Sequence, residues 1–348
     1  RWICESEHMI DLRSDNTAAA CPQVLEALTR GGDQREASYG DDTVTSRLRD
    51  QARVIFAHPD AEVFPVATGT AANALSLSAI CQPWGSVVCH ESAHIANHEA
   101  GATSHLSGGA VLRTVAGSDG SIDVNALATT FDETWWGDPH VSQPQALSLV
   151  YPTDFGTVPP IEQIRELTAI ARARGLRCHL DGARIANGLV SAGCTPADLT
   201  WRAGIDVVSF GATKNGGMNA DMIVSFDTDV SAELRYRTKR AGHVPSKMRY
   251  LSAQILALIE SDLWLTHAAH ANAMATRIGS SLAGAGHAPL YPVQANLVFV
   301  TLTDHLSAIL SAAEVEYFEL RPGVARFVTS WQTDPDEVEL LVRTLNHG

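Results

Sequence analysis

Leu176-Arg177-Cys178-His179-Leu180-Asp181-Gly182-Ala183-Arg184, followed by Asp206-Val207-Val208-Ser209-Phe210-Gly211-Ala212-Thr213-Lys214-Asn215-Gly216, decides the fold. Each half opens on a short apolar run and breaks at a glycine, the pattern of a buried parallel strand passing into a βα loop. In an open α/β sheet, ligands gather at such carboxyl ends. Asp181 is thus expected at one strand end and Lys214 on the neighbouring loop, an acid and an amine facing one crevice. Either residue alone could be a solvated surface charge, since the chain holds 25 lysines and arginines.

On both sides of this centre, strand and helix patterns alternate. Glu62-Val63-Phe64-Pro65-Val66-Ala67-Thr68-Gly69-Thr70-Ala71-Ala72-Asn73 reads as a short strand, a glycine turn and an alanine-rich helix. Such a turn is a phosphate cup, because Gly69 lets the backbone approach an anion, Thr70 adds a hydroxyl and the helix start favours negative charge. It is neither GxGxxG nor a Walker loop, so no dinucleotide or nucleoside triphosphate is indicated. A strand ending near Cys89 precedes His90, His94 and His98, which share a face if the segment is helical. No HExxH arrangement or third ligand accompanies them, so no metal site is assigned. A ring such as His94, just past a strand end, suits stacking on a flat cofactor instead.

Between Gly108 and Gln145 the reading is one strand, a polar excursion and an irregular loop with Trp135-Trp136, and Ala146 to Tyr151 is a further strand. Its carboxyl-end loop, Pro152-Thr153-Asp154, puts Asp154 over the site. A helix from Pro159-Pro160 to Arg174 leads into the Asp181 strand. Early in the chain, Met9 to Thr17 reads as a polar loop, and helices are expected from Pro22 to Thr29 and from Thr45 to near His58. Tyr39 to Asp42 suits a turn with capping acids or a functional role equally. After Lys214 come the strand Met222 to Phe226, three helices, and an end domain with strands at 296–300 and 325–329 and helices near 304–313 and 334–346. The expected architecture is α/β: a mostly parallel, doubly wound sheet over residues 9–250, and a smaller α+β C-terminal domain over 251–348.

Pyridoxal phosphate is the cofactor whose chemistry asks for these parts. Its ring nitrogen needs a carboxylate to keep its proton, which Asp181 could supply. Its aldehyde needs a lysine partly deprotonated by its surroundings, which Lys214 could be. Arg326 interrupts an apolar strand, so its burial would call for an anion such as a substrate carboxylate or a structural acid.

Composition narrows the partners. With 39 acidic and 25 basic residues the net charge is -14, which argues against nucleic acid or an anionic membrane surface as partner. Six cysteines, Cys4, Cys21, Cys81, Cys89, Cys178 and Cys194, show no CxxC spacing and mostly sit in apolar segments, as reduced buried thiols do. A cytoplasmic, reducing compartment is expected. Arg1 to His8 lacks the character of a signal peptide, and no apolar run is long enough to span a membrane.

The motifs together resemble the L-threonine aldolase family of pyridoxal-phosphate enzymes, with the aspartate-aminotransferase-like fold type I. The likeness runs through Ile10-Asp11-Leu12-Arg13-Ser14-Asp15, Tyr39-Gly40-Asp41-Asp42, Thr68 to Asn73, His179 to Arg184, the Lys214 loop and Ala325 to Thr329. Gly211 to Gly216, with Ser246-Lys247-Met248-Arg249, looks most like the low-specificity and phenylserine aldolase branch. The resemblance implies reversible cleavage of the Cα–Cβ bond of L-threonine, L-allo-threonine or phenylserine to glycine and an aldehyde. By it, Lys214 would bind the cofactor aldehyde, Asp181 the ring nitrogen and His94 the ring face. Gly69, Thr70, Arg249 and Lys239 would hold the phosphate, with Arg184 also beside the cofactor. Ser14, Arg184 and Arg326 would hold the substrate carboxylate. Homodimers or homotetramers with shared sites are implied, with Tyr39 reaching a neighbour's site. Where many members carry a histidine after Asn-Thr, this chain has Pro152-Thr153-Asp154, which leaves His94, His98 and Asp154 as candidates for the β-hydroxyl proton. An aminotransferase, racemase, β-eliminating lyase or transaldolase would share Asp181 and Lys214, and a non-catalytic binding protein on this fold is the reading from another class.

Overall fold

The structure, a computed structural model, describes residues 9–31 and 35–347. Cys4 and the segment Arg1 to His8 lie outside the described residues. The main sheet has seven strands: β1 (Glu62–Val66), β2 (Gly85–His90), β3 (Val111–Val115), β4 (Gln143–Val150), β5 (Arg177–Gly182), β6 (Val207–Phe210) and β7 (Asp221–Ser225). Their order is β1-β7-β6-β5-β4-β2-β3. All run parallel except β7, which is antiparallel to both neighbours. β2, β6 and β7 are buried along their whole length, as strands covered on both faces must be. Alternate residues enter opposite cores: Leu147, Val208 and Met222 pack on one face, Ala146, Val207 and Ile223 on the other. This is the doubly wound α/β architecture expected from the strand–helix alternation.

A second, antiparallel sheet is made of Phe318–Arg321, Val324–Val328 and Leu297–Thr301, interleaved and followed by helices Asp304–Ala312 and Pro335–His347. Two helices after β7 still pack on the first core. Helix Arg249–Ile259 contributes Ile255, Leu256, Leu258 and Ile259 to the first core. The changeover falls inside helix Leu263–Gly284, where Trp264 and Ala268 face the first core and Ala275, Ile278 and Leu282 the second.

Three local readings are corrected. Ile10–Asp11, read as loop, is a short strand parallel to Val315–Glu316, and Ile10 and Leu12 are buried in the second core; the period-two pattern spans too few residues to stand out. The excursion after Val115 contains helix Val124–Asp132, capped by Asp123, which accepts from the Ala126 amide at 2.8 Å. Finally, the three histidines do not share a helical face. His90 ends β2, His94 opens a four-residue helix, and His98 follows its end. No described helix is long and apolar enough to cross a membrane.

Candidate active site

β5, β6 and β7 set the site. Asp181 sits near the end of β5 opposite Val150 on one side and Ser209 on the other. It is 3% exposed, and its Oδ2 accepts from Asn73 Nδ2 at 2.8 Å while Oδ1 accepts from the Ala183 amide at 3.0 Å. After β6 the chain makes a tight turn over Thr213–Asn215 that carries Lys214. Because β7 runs backwards, its first residue, Asp221, returns to the same edge. Asp221 Oδ1 accepts from the amides of Ala212 and Thr213 at 2.8 and 3.0 Å. From the other side, Asn215 Nδ2 donates to the Trp264 carbonyl at 2.8 Å. The Lys214 turn is thus clamped between β7 and the long helix.

These groups line a cavity of about 310 Å³. Gly69 and Thr70 enter it from the first turn of helix Gly69–Ile80, whose cap Thr68 accepts from the Ala71 amide at 3.2 Å. The Gly69 and Thr70 amides donate to no acceptor among the described residues. His94 and Asp154 complete the wall. Arg184 beside Lys214, together with burial, holds the amine below the usual lysine range. Burial first and the Asp181 carboxylate second push Asp154 up to about 6. The hydrogen bond to Glu99 raises His94 above the ordinary histidine value. Among the described residues no three His, Cys, Asp or Glu side chains group as metal ligands.

The residues fit pyridoxal phosphate. Two first-turn amides without a protein acceptor meet an anion's needs. A buried carboxylate suits a protonated ring nitrogen. The amine held low suits an aldehyde, and two buried polar atoms, Thr213 Oγ1 and Asp154 Oδ2, lack any protein partner.

Other expected residues lie elsewhere. Arg184 lines the cavity, but its Nε and Nη2 donate to Asp15 at 2.6 and 3.0 Å. Arg326 donates through Nη2 to the Arg13 carbonyl at 3.3 Å, and its Nε is buried without a partner. Ser14 Oγ accepts from the Asn16 amide at 3.2 Å, and Asn16 rather than Ser14 reaches the cavity. His98 is exposed, its ring 5.5 Å from that of His94 and outside the lining. Tyr39, Lys239 and Arg249 are also outside it. The Lys239 ammonium stands 4.5 Å over the Tyr39 ring, whose own amide donates to the Ser246 carbonyl at 3.1 Å. Arg249 donates to the Gly31 carbonyl at 2.9 Å and borders a separate cavity. Trp135 and Trp136 sit at the opposite sheet edge. There Gln143, which opens β4, binds the Trp135 carbonyl at 3.1 Å, and the eight-residue strand spans roughly 26 Å. Tyr151 is fully buried.

Asp15, Asn73, Glu99 and Asp221 were not singled out from the sequence. Asp221 left a signal, an acid opening the apolar run Met222-Ile223-Val224; the other three depend on partners distant in the chain.

Comparison with known proteins follows the same lines. The family model described as beta-eliminating lyase matches residues 11–305. A low specificity L-threonine aldolase from a Pseudomonas species is 38% identical over 330 residues, 94% of each chain. That of Pseudomonas aeruginosa is 36% identical over 98% of each. Among solved structures, a threonine aldolase from Leishmania major superposes with a TM-score of 0.90 at 26% identity, covering 97% of this chain and 99% of that one.

Proposed function

This chain belongs to the beta-eliminating lyase family, and from that premise we propose that its cavity hosts the cleavage of L-β-hydroxy-α-amino acids to glycine and an aldehyde. It is a lyase of the threonine-aldolase kind, and pyridoxal phosphate is its cofactor. The convergence of Asp181, Lys214 and the first turn of helix Gly69–Ile80 on one cavity carries the reading.

Lys214 Nζ would hold the cofactor covalently, the Gly69 and Thr70 amides its phosphate, Asp181 its ring nitrogen and His94 its ring face. When bound, it supplies the electron sink for the pair released from the broken Cα–Cβ bond. Arg184 and Arg326 would hold the substrate carboxylate and so orient the bond to be broken. Asp154 takes the β-hydroxyl proton as the aldehyde leaves; its unpartnered Oδ2 supports this role over the exposed His98. Tyr39, Lys239 and Arg249, together on a surface away from this chain's own cavity, complete the site of a second copy in a homodimer or homotetramer. Buried free cysteines support a cytoplasmic setting.

The test is aldehyde release from L-threonine, L-allo-threonine, L-phenylserine and D-threonine by the cofactor-loaded protein, with Lys214→Ala alongside. Aldehyde from the L substrates alone, lost in the variant, is expected; a keto acid in its place would indicate transamination. Mixing inactive Lys214→Ala with Arg249→Ala subunits should regain part of the activity, and no recovery would remove the shared site.

A further inference from the structure

Asn73 is buried in helix Gly69–Ile80 and its side-chain nitrogen lies between two carboxylates. It donates to Asp181 Oδ2 and to Glu99 Oε1, both at 2.8 Å. An amide nitrogen has two hydrogens and its oxygen has none. Turned the other way, Asn73 would set an oxygen against two carboxylates. Each acid therefore accepts from the Asn73 amide through the oxygen that faces it. Glu99 is wholly buried through its side chain, and its Oε1 lies 3.0 Å from His94 Nδ1. Glu99 Oε1 already accepts from Asn73 and also faces that ring nitrogen, which as a donor completes one continuous run of hydrogen bonds.

We infer that Asn73 and Glu99 are positioning residues which lock His94 in the tautomer carrying its proton on Nδ1, leave Nε2 as the nitrogen free to exchange a proton, and through the same amide hold the Asp181 carboxyl in its orientation. One chain of contacts, Asp181–Asn73–Glu99–His94, thereby joins the group that would pair with the ring nitrogen to the group that would face the ring. The inference rests on the cofactor reading above. It adds to it a reason why the sequence Thr68 to Asn73 ends in asparagine: the helix whose first turn meets the phosphate also carries, one turn on, the amide that orders the acids.

His94 is faced by Glu99 and, across the cavity, by Asp181 and Asp154, with the His98 ring alongside. The experiment is a substrate-free NMR titration of the cofactor-loaded protein labelled with ¹⁵N-histidine, in wild type, Glu99→Gln and Asn73→Ala. In wild type the His94 ring shifts should report Nδ1–H at every pH, with only Nε2 titrating. Glu99→Gln, which keeps the shape but can also donate, should mix the tautomers and lower the midpoint. Asn73→Ala should weaken cofactor binding roughly tenfold or more, the scale of one hydrogen bond to a charged group. A wild-type proton on Nε2, or an unchanged tautomer and midpoint in Glu99→Gln, would overturn the inference. Because no substrate is present, these readings stand or fall apart from the aldehyde assay.

Discussion

Asp154 is the residue in which burial becomes chemistry. Its Oδ2 has no protein partner, and its midpoint of about 6 reflects burial and then the Asp181 charge nearby. Such a carboxyl is ionised at neutral pH and still basic enough to take a proton as the aldehyde forms. With Asp154 as the base of the proposed reaction the ionised form is the active one, so the rate should fall as pH drops through about 6. Asp154→Asn is expected to lower kcat by roughly 10²–10⁴-fold and to remove that acid limb from the pH profile of kcat/KM. Initial rates of aldehyde release from pH 5 to 9 would show it; a variant that keeps the limb would pass the role to His94. Lys214 is tuned by the opposite logic, since the Arg184 guanidinium next to it and its burial both disfavour its charged form.

At the scale of elements, the strands around Asp181 are tied by a buried histidine. His179 on β5 meets Ser148 Oγ of β4 at 3.0 Å and Ser209 Oγ of β6 at 2.9 Å. Burial pushes it down to about 4, against about 6.5 in an unfolded chain. Between those values the unfolded state binds the extra proton, so this contribution to stability is lost as pH falls through that window. About 2 kcal/mol should go by pH 5. Urea unfolding at pH 7 and 5 should therefore show a smaller drop in His179→Asn than in wild type. Asp154 acts in the other direction over this range, so the difference between the two proteins is the quantity that counts. The loops after β5 and β6 are equally constrained: a Cβ on Gly211 would lie 2.1 Å from the Ala183 carbonyl oxygen. Gly211→Ala should cost about 1–3 kcal/mol or more and loosen the cofactor, checked by thermal unfolding and by cofactor retained on gel filtration. These loops could be read in the sequence because each follows a short apolar run closed by a glycine, a signal contained in a dozen residues. Helix Val124–Asp132 could not, since it buries only Leu127 and Phe131 amid threonines. Nor could Asn73, whose partners Glu99 and Asp181 lie 26 and 108 positions away; only the packed sheet brings them together.

At the scale of the whole molecule, three distant parts of the chain come together around Asp15. The segment before the first helix brings Asp15, the loop after β5 Arg184 and strand Val324–Val328 Arg326. Burial of Asp15 is outweighed by the Arg184 and Lys214 charges, which hold it below the usual carboxylate range, and Asn296 Nδ2 adds a hydrogen bond at 3.1 Å. Arg326 is held below its ordinary value by burial and then by the Arg184 charge. Of the two guanidiniums only Arg184 is hydrogen-bonded to Asp15, and the buried Arg326 Nε, left without a partner, is the donor a second carboxylate would take. A substrate binding there would join these parts of the chain through its own charge. Arg326→Ala should therefore raise the KM for L-threonine roughly 10–100-fold, the effect of one hydrogen-bonded charge, with a smaller change in kcat and no change in the bound-cofactor absorbance. Arg326→Lys should recover only part of it, because an ammonium lacks the planar fork. Initial rates over a range of threonine concentrations decide the matter: a wild-type KM in Arg326→Ala would leave Arg184 alone with the substrate carboxylate and make Arg326 a structural partner of the Arg13 carbonyl.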